Sequence, residues 1–590
     1  MKYRFPKQSI QFGLVLILLL LLAPAPASPQ RRSPSRGAEQ HYQTGTQFLE
    51  RQELDQAITE LSLATKLNPK FAAAYNALGT ALARKGELNA AAESFRKAIQ
   101  INPRLYEAHL GLATVLQHSG DFDGAIAAAN KAIALKPEEV EARLLQGVAY
   151  QQKGDLESAI TRFREAVRLK PNAAEGHSYL GFALGVKGLL QDSISEFETA
   201  VRLKPDLAEA QYYLGAARWF SNDIDGAVAA LAIAAKLMPN HTNAHYYLGR
   251  ALQKQGKLES AINEFDTVIK LAPDMVEAHH ALGLALLQNG DPDAAIEAFR
   301  AVIKLKPDFV PAHNDLGLAL VQKRDPEAAI SELRMVLRLD PNNLVAHHNL
   351  GMALTQKGDY AAAVIQYRNL VTLAPDDAEA HYGLGLALKQ KDALDDASAE
   401  LRKAIALQPS LHEAHYVLGV ILLQQARLAE AATEFQAAVT LKKDYAEAHY
   451  ALGTVLQQKG DLDGAIAAFR AALQFAPNAA ETHNTLGNAL RQKGDLEAAR
   501  VEFQEAARLN KLRSNQQAGI FAMNTGLAHL KDGKTDAAVE RLQTAVQLDP
   551  TNAQAFYYLA QALQQMGQSQ AAQAAYQKAK ELNPRTKPLP

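Results

Sequence analysis

An all-α solenoid is the fold class this sequence predicts, and three observations predict it. One motif of 34 residues recurs along nearly the whole chain. Within each copy, apolar residues return at spacings of three and four, the period of a helix buried along one stripe. Each copy also carries turn residues at two fixed places, so it reads as two antiparallel helices, A and B. A helical hairpin of that size cannot bury its apolar faces alone, whereas a stack of hairpins can.

The elements follow in chain order. Residues 1–27 place Lys2, Arg4 and Lys7 ahead of FGLVLILLLLL (12–22), with small residues at Ala25 and Ala27. That is the pattern of a secretory signal, and the run falls short of the roughly 20 residues that cross a bilayer. The expectation is cleavage after Ala27 and export, to the periplasm or outside the cell. Residues 28–37, rich in Pro, Ser and Arg, read as a disordered linker. Fourteen repeats of 34 residues follow, from 38–71 to 480–513. Five inserted residues (514–518), two further repeats (519–552 and 553–586) and a tail (587–590) complete the chain. The insertion reads as a longer loop or an extended helix A. In the last helix, Gln568, Gln570, Gln573 and Gln577 suit a polar cap on the stack.

The repeat at 446–479 shows the logic of one copy. Gly453 in the middle of helix A is unfavourable by about 1 kcal/mol against alanine, so packing must offset it. The expectation is a close approach of helix B, with Ala465 facing the glycine. Gly460 is placed to adopt a left-handed turn, Asp461 to cap helix B, and Pro477 to stop it. The same columns run through the chain: a small residue at 45, 79, 113 and onward to 487, glycine in every case but Ala113. A second small residue lies twelve positions later, and four further on a bulky one such as Phe95, Phe163, Phe197, Phe265 or Phe299.

A 34-residue period with small, aromatic and proline positions at these offsets resembles the tetratricopeptide repeat family. The resemblance implies a right-handed superhelix of stacked helix pairs, with a concave groove lined by positions 2, 5, 9, 12 and 13 of helix A. The family's tryptophan at position 4 is mostly histidine here. The long array is similar to the superhelix of O-linked N-acetylglucosamine transferase, but the catalytic domain is missing. That protein's asparagines at position 6 are matched only by Asn349 and Asn524. Repeats that clamp chaperone tails need a lysine at position 5, and no repeat has one.

Composition removes several kinds of chemistry. The net charge of −1 offers no basic field to gather nucleic acid. The absence of cysteine excludes disulfides, thiolate nucleophiles and cysteine metal sites. No phosphate-binding loop or metalloprotease motif occurs, so no catalytic residue, metal ligand or cofactor is expected. Histidine is the tempting exception. His41, His109, His177, His245, His279, His313, His347, His381, His415, His449 and His483 all occupy position 4. Equivalent positions on stacked helices lie about 8–10 Å apart, too far to share a metal that needs each nitrogen near 2.1 Å. These rings are expected to be buried and neutral, which would make stability fall as pH drops through about 6.5.

What remains is a surface. Position 5 is often tyrosine (Tyr42, Tyr212, Tyr246, Tyr382, Tyr416, Tyr450, Tyr557), position 2 is often glutamate, and position 13 is glutamine in seven consecutive repeats. The only tryptophan, Trp219, falls beside Phe220, with Tyr212, Tyr246 and Arg250 at groove positions, a composition typical of interface hot spots. Arg218, where other repeats carry Leu or Tyr, supports a rival reading in which Trp219 fills the core. The function expected is a non-enzymatic scaffold that binds extended or disordered polypeptide segments, using Tyr212, Trp219, Phe220, Tyr246, Arg250, Tyr382, Tyr416 and Tyr450. The alternative is an accessory subunit of an exported enzyme, of an envelope or polysaccharide assembly, or of a secretion machine.

Overall fold

The computed structural model describes residues 36–589, which form 31 α-helices with no strand among them. The signal (1–27) and the linker up to residue 35 lie outside the described residues. Arg36 and Gly37, read as linker, instead begin the first helix, Arg36–Glu50.

The chain is an all-α solenoid built as two compact bodies, divided between Lys323 and Arg324. Within each body, every helix packs on the next in the chain, A on B and B on the following A. The turns match the sequence chemistry. Helix Ala446–Gln458 ends at Lys459, Gly460 turns with φ 84°, and Asp461 accepts a hydrogen bond from the Gly464 amide at 2.9 Å. Glycine stands at that left-handed position in most repeats. Gln52, Asn222, Arg324, Asp392 and Ala426 hold it with φ of 59–66°, a conformation that is strained for a residue with a Cβ.

The glycine of helix A has a second partner beside the one expected. A Cβ on Gly453 would lie 2.7 Å from the Phe469 ring, so the bulky residue sixteen positions on fills the vacated space. The same ring-on-glycine contact joins Gly79 to Phe95 and Gly419 to Phe435. The small residue of helix B still lies at the crossing. Ser193, the hydroxyl in that column, donates to the Gly181 carbonyl at 2.6 Å. The next repeat can cover the ring as well: Phe95 also meets Gly111, and Tyr367 lies between Gly351 and Gly383. Ala113 is possible because its repeat carries Ala129 in place of the ring.

The insertion forms no loop. A single helix, Leu496–Lys531, runs through it for 36 residues. Helix B of the fourteenth repeat and helix A of the fifteenth are one rod: Lys511 leaves out the closing proline, as Lys443 does where its helix still ends at Leu441, and here the five inserted residues continue the helix. At the end of the chain, Gln568, Gln570, Gln573 and Gln577 are exposed. Among the described residues, no helix is long and apolar enough to cross a membrane.

Candidate peptide-docking face

The histidine column is built into the scaffold by hydrogen bonds. In six repeats the position-4 ring reaches a glutamate nineteen residues later on helix B of its own repeat. Nδ1 lies 2.5–2.6 Å from the carboxylate in His41–Glu60, His177–Glu196, His245–Glu264, His381–Glu400, His415–Glu434 and His483–Glu502. In five of these the other nitrogen points at a carbonyl of the preceding turn, as His415 Nε2 does at Pro409 (3.3 Å) and His381 Nε2 at Pro375 (3.0 Å). At His415 both partners are acceptors, so only the doubly protonated ring satisfies both. At His415 the hydrogen bond to Glu434, opposed by burial, raises the pKa above the ordinary histidine value. The expected neutral ring is therefore corrected there, and with it the sign of the pH dependence. Burial opposes ionisation of Glu400, but hydrogen bonds from Lys403 and His381 hold its pKa below the usual value. Among the described residues, no group of three or more His, Cys, Asp or Glu is placed to hold a metal.

In the first body the structure gathers most of the predicted patch. Trp219 on helix Ala208–Phe220 is half-buried. Over its ring lie the Arg250 guanidinium and the Lys254 ammonium, each 5.7 Å from the centroid. Arg250 also donates to the Tyr246 hydroxyl at 3.1 Å. The Phe220 ring is 6.0 Å from Tyr247. Arg218 turns away to Glu198 (2.7 Å) and Asp223 (3.5 Å), so its ion pairs explain why an arginine is tolerated there. Tyr212 departs from the expectation. It is 1% exposed, packed on Tyr213 and His241, and burial raises its pKa. It supports the patch from beneath rather than presenting a contact.

In the second body Tyr382, Tyr416 and Tyr450 are half-buried and follow a common rule. The Tyr416 and Tyr450 rings rest on Phe435 (5.8 Å) and Phe469 (5.7 Å) of their own repeats. The Tyr450 hydroxyl donates to Glu481, at position 2 of the next repeat, at 3.3 Å. Tyr382 is pushed up to about 12 by burial and then by Glu413 and Glu379; Tyr416 is raised by burial and then by Glu447. Tyrosine and glutamate thus alternate from repeat to repeat along one face. The position-13 glutamines border it, exposed, and Gln457 donates to Gln492 at 3.0 Å.

The tyrosines were found in the sequence by position alone, but two relationships were not. Glutamate nineteen residues after position 4 occurs only in repeats that have histidine there, so the pair was legible as a correlation. The 31-residue spacing from each tyrosine to the next repeat's glutamate carried the second signal.

Family models described as tetratricopeptide repeat match residues 82–130, 110–174, 215–276, 246–308, 280–344, 378–411, 446–479, 480–511 and 553–586. A model described as TPR repeat matches 45–86, 351–392, 421–460 and 526–567. Among solved structures, "YrrB: a TPR protein with an unusual peptide-binding site" is 24% identical over 32% of this chain and 97% of its own, with a TM-score of 0.31. MamA from Desulfovibrio magneticus RS-1 is 25% identical over 29% and 96%, with a TM-score of 0.28. The APC/C hetero-tetramer Cut9-Hcn1 is 15% identical over 90% and 97%, with a TM-score of 0.31. No curated protein sequence matches the chain.

Proposed function

The chain belongs to the tetratricopeptide repeat family, and from that premise we propose a non-catalytic scaffold that binds extended, basic polypeptide segments. The observation that carries this reading is the alternation of Tyr382, Tyr416 and Tyr450 with Glu379, Glu413, Glu447 and Glu481. Half-buried tyrosines give rigid contact area at little entropic cost. The carboxylates give charge-assisted acceptors to lysine and arginine side chains. An extended segment meets one such pair per repeat, so affinity accumulates along the stack. The Trp219 patch, covered by Arg250 and Lys254, is a second contact of opposite charge, suited to acidic or aromatic side chains. Export through the N-terminal segment belongs to the same proposal and places the partner outside the cytoplasm.

The test is fluorescence anisotropy of the full chain with a labelled, lysine-rich unstructured peptide and its glutamate-rich counterpart. Preference for the basic peptide, lost in Glu413→Gln/Glu447→Gln/Glu481→Gln at unchanged melting temperature, is the expected result. Equal binding of both peptides, or indifference to the three substitutions, contradicts it.

A further inference from the structure

We infer that the chain pairs with a second copy of itself along one face of the helix Leu496–Lys531. The first observation is a core ring that the following repeat does not cover. Phe435 and Phe469 are fully buried, each under the following repeat. Phe503, at the same position of the fourteenth repeat, is only half-buried, because the straight rod carries the next helix A away. Phe503, Leu496 (67% exposed), Ala507 and Arg500 line an open cleft of ≈ 320 Å³, in which the Arg491 guanidinium lies over the Phe503 ring at 5.7 Å.

The second observation is the complementary face, farther along the same rod. Position 3 of helix A packs on the preceding repeat and is fully buried alanine at Ala414, Ala448 and Ala555. In the fifteenth repeat it is Phe521, 75% exposed, and one further contact position there, Ala528, is also exposed. True ends of the stack are treated differently. The first repeat has exposed Gln40 and Gln47 at these two positions, and the last helix exposes Gln573. A polar solution exists in this chain and is not used at the rod.

The two faces cannot meet within one molecule. Phe503 and Phe521 are eighteen residues apart, five full turns, so they share one side of the helix about 27 Å apart. Two antiparallel rods bring them together, and the spacing is symmetric about residue 512. Phe503 then lies opposite Phe521, Leu496 opposite Ala528, Arg500 opposite Asn524, and Asn510 opposite Ser514. Each copy offers both faces, so the contact closes as a two-fold dimer and does not propagate.

Sedimentation velocity on the full chain should show a dimer. Phe521→Asp, at an exposed site, should give a monomer with unchanged helical signal and melting temperature. Register is tested separately, because the chain has no cysteine. In Leu496→Cys/Ala528→Cys the two thiols of one molecule lie about 48 Å apart along the helix, so a short bismaleimide can join only different copies. A cross-linked dimer on a denaturing gel supports the antiparallel pairing. A wild-type chain that stays monomeric at tens of micromolar, a dimer untouched by Phe521→Asp, or a dimer without the cross-link overturns it.

Discussion

Two sides of helix A obey different rules. On the side facing helix B, the same few residues recur almost without change: a glycine, a ring lying on it, a small residue at the crossing, and often a histidine reaching a glutamate. On the open side, the residues change from body to body: Trp219 under two cations in one, tyrosines alternating with glutamates in the other. The repeated side is constrained by geometry, since a ring 2.7 Å from where a Cβ would stand leaves no choice at Gly453. The open side has no such constraint, and its residues vary between the two bodies.

The sharpest way to break this contrast is to overfill the repeated side. Gly453→Leu should destabilise the second body by about 1–3 kcal/mol, because Phe469 is fully buried and cannot move aside. Coupling in a stack runs between neighbours, so amide exchange should rise in the adjoining repeats and leave distant ones unchanged. Loosening of every repeat alike would contradict the nearest-neighbour picture.

Next in size is the open side. Trp219→Ala should weaken binding of an acidic or aromatic segment roughly tenfold, about 1.4 kcal/mol, with little loss of stability. Trp219 emission in the free protein should be quenchable. A strongly destabilised Trp219→Ala chain with shielded emission would move this residue to the core side of the comparison.

A smaller effect separates the two sides by pH. His415 has a folded pKa above its unfolded value, so its contribution is complete below about 6.5 and is lost as pH rises through the folded value. Glu400 has the opposite sign, its contribution being present above its unfolded value and lost as pH falls through the folded one. The deficit in urea midpoint of Glu434→Gln against wild type should therefore be larger at pH 6 than at pH 8.5. An equal deficit at both would mean that His415 is not held protonated. Smallest is Ala426→Gly, which relieves a left-handed turn (φ 59°). Strain relief of about 1–2 kcal/mol, against an entropic cost of about 0.4–1 kcal/mol, leaves a gain of a few tenths or more in thermal denaturation.

Much of this fold was legible because repetition itself carries the signal. The Gly460 turn, the Asp461 cap and the polar last helix follow from local residue chemistry, and the structure keeps all three. The part of Phe469 at Gly453 was missed because helix crossing angle decides how far a neighbour sixteen residues away fills the gap, and no single repeat encodes that angle. His415 was misread for a related reason. A burial argument treats each ring alone, whereas Glu434 and the Pro409 carbonyl come from two other segments. Tyr212 shares a column with Tyr416 and Tyr450, yet Tyr213 and His241 enclose it.

Amide hydrogen exchange of the full chain, with and without the basic peptide, tests the central claim most directly. Binding should protect the helices Ala378–Gln390, His412–Gln424 and Ala446–Gln458, which carry the tyrosine–glutamate face, and leave their B helices unchanged. Protection confined to the B helices, or none at saturating peptide, would contradict the assignment of recognition to the open side of helix A.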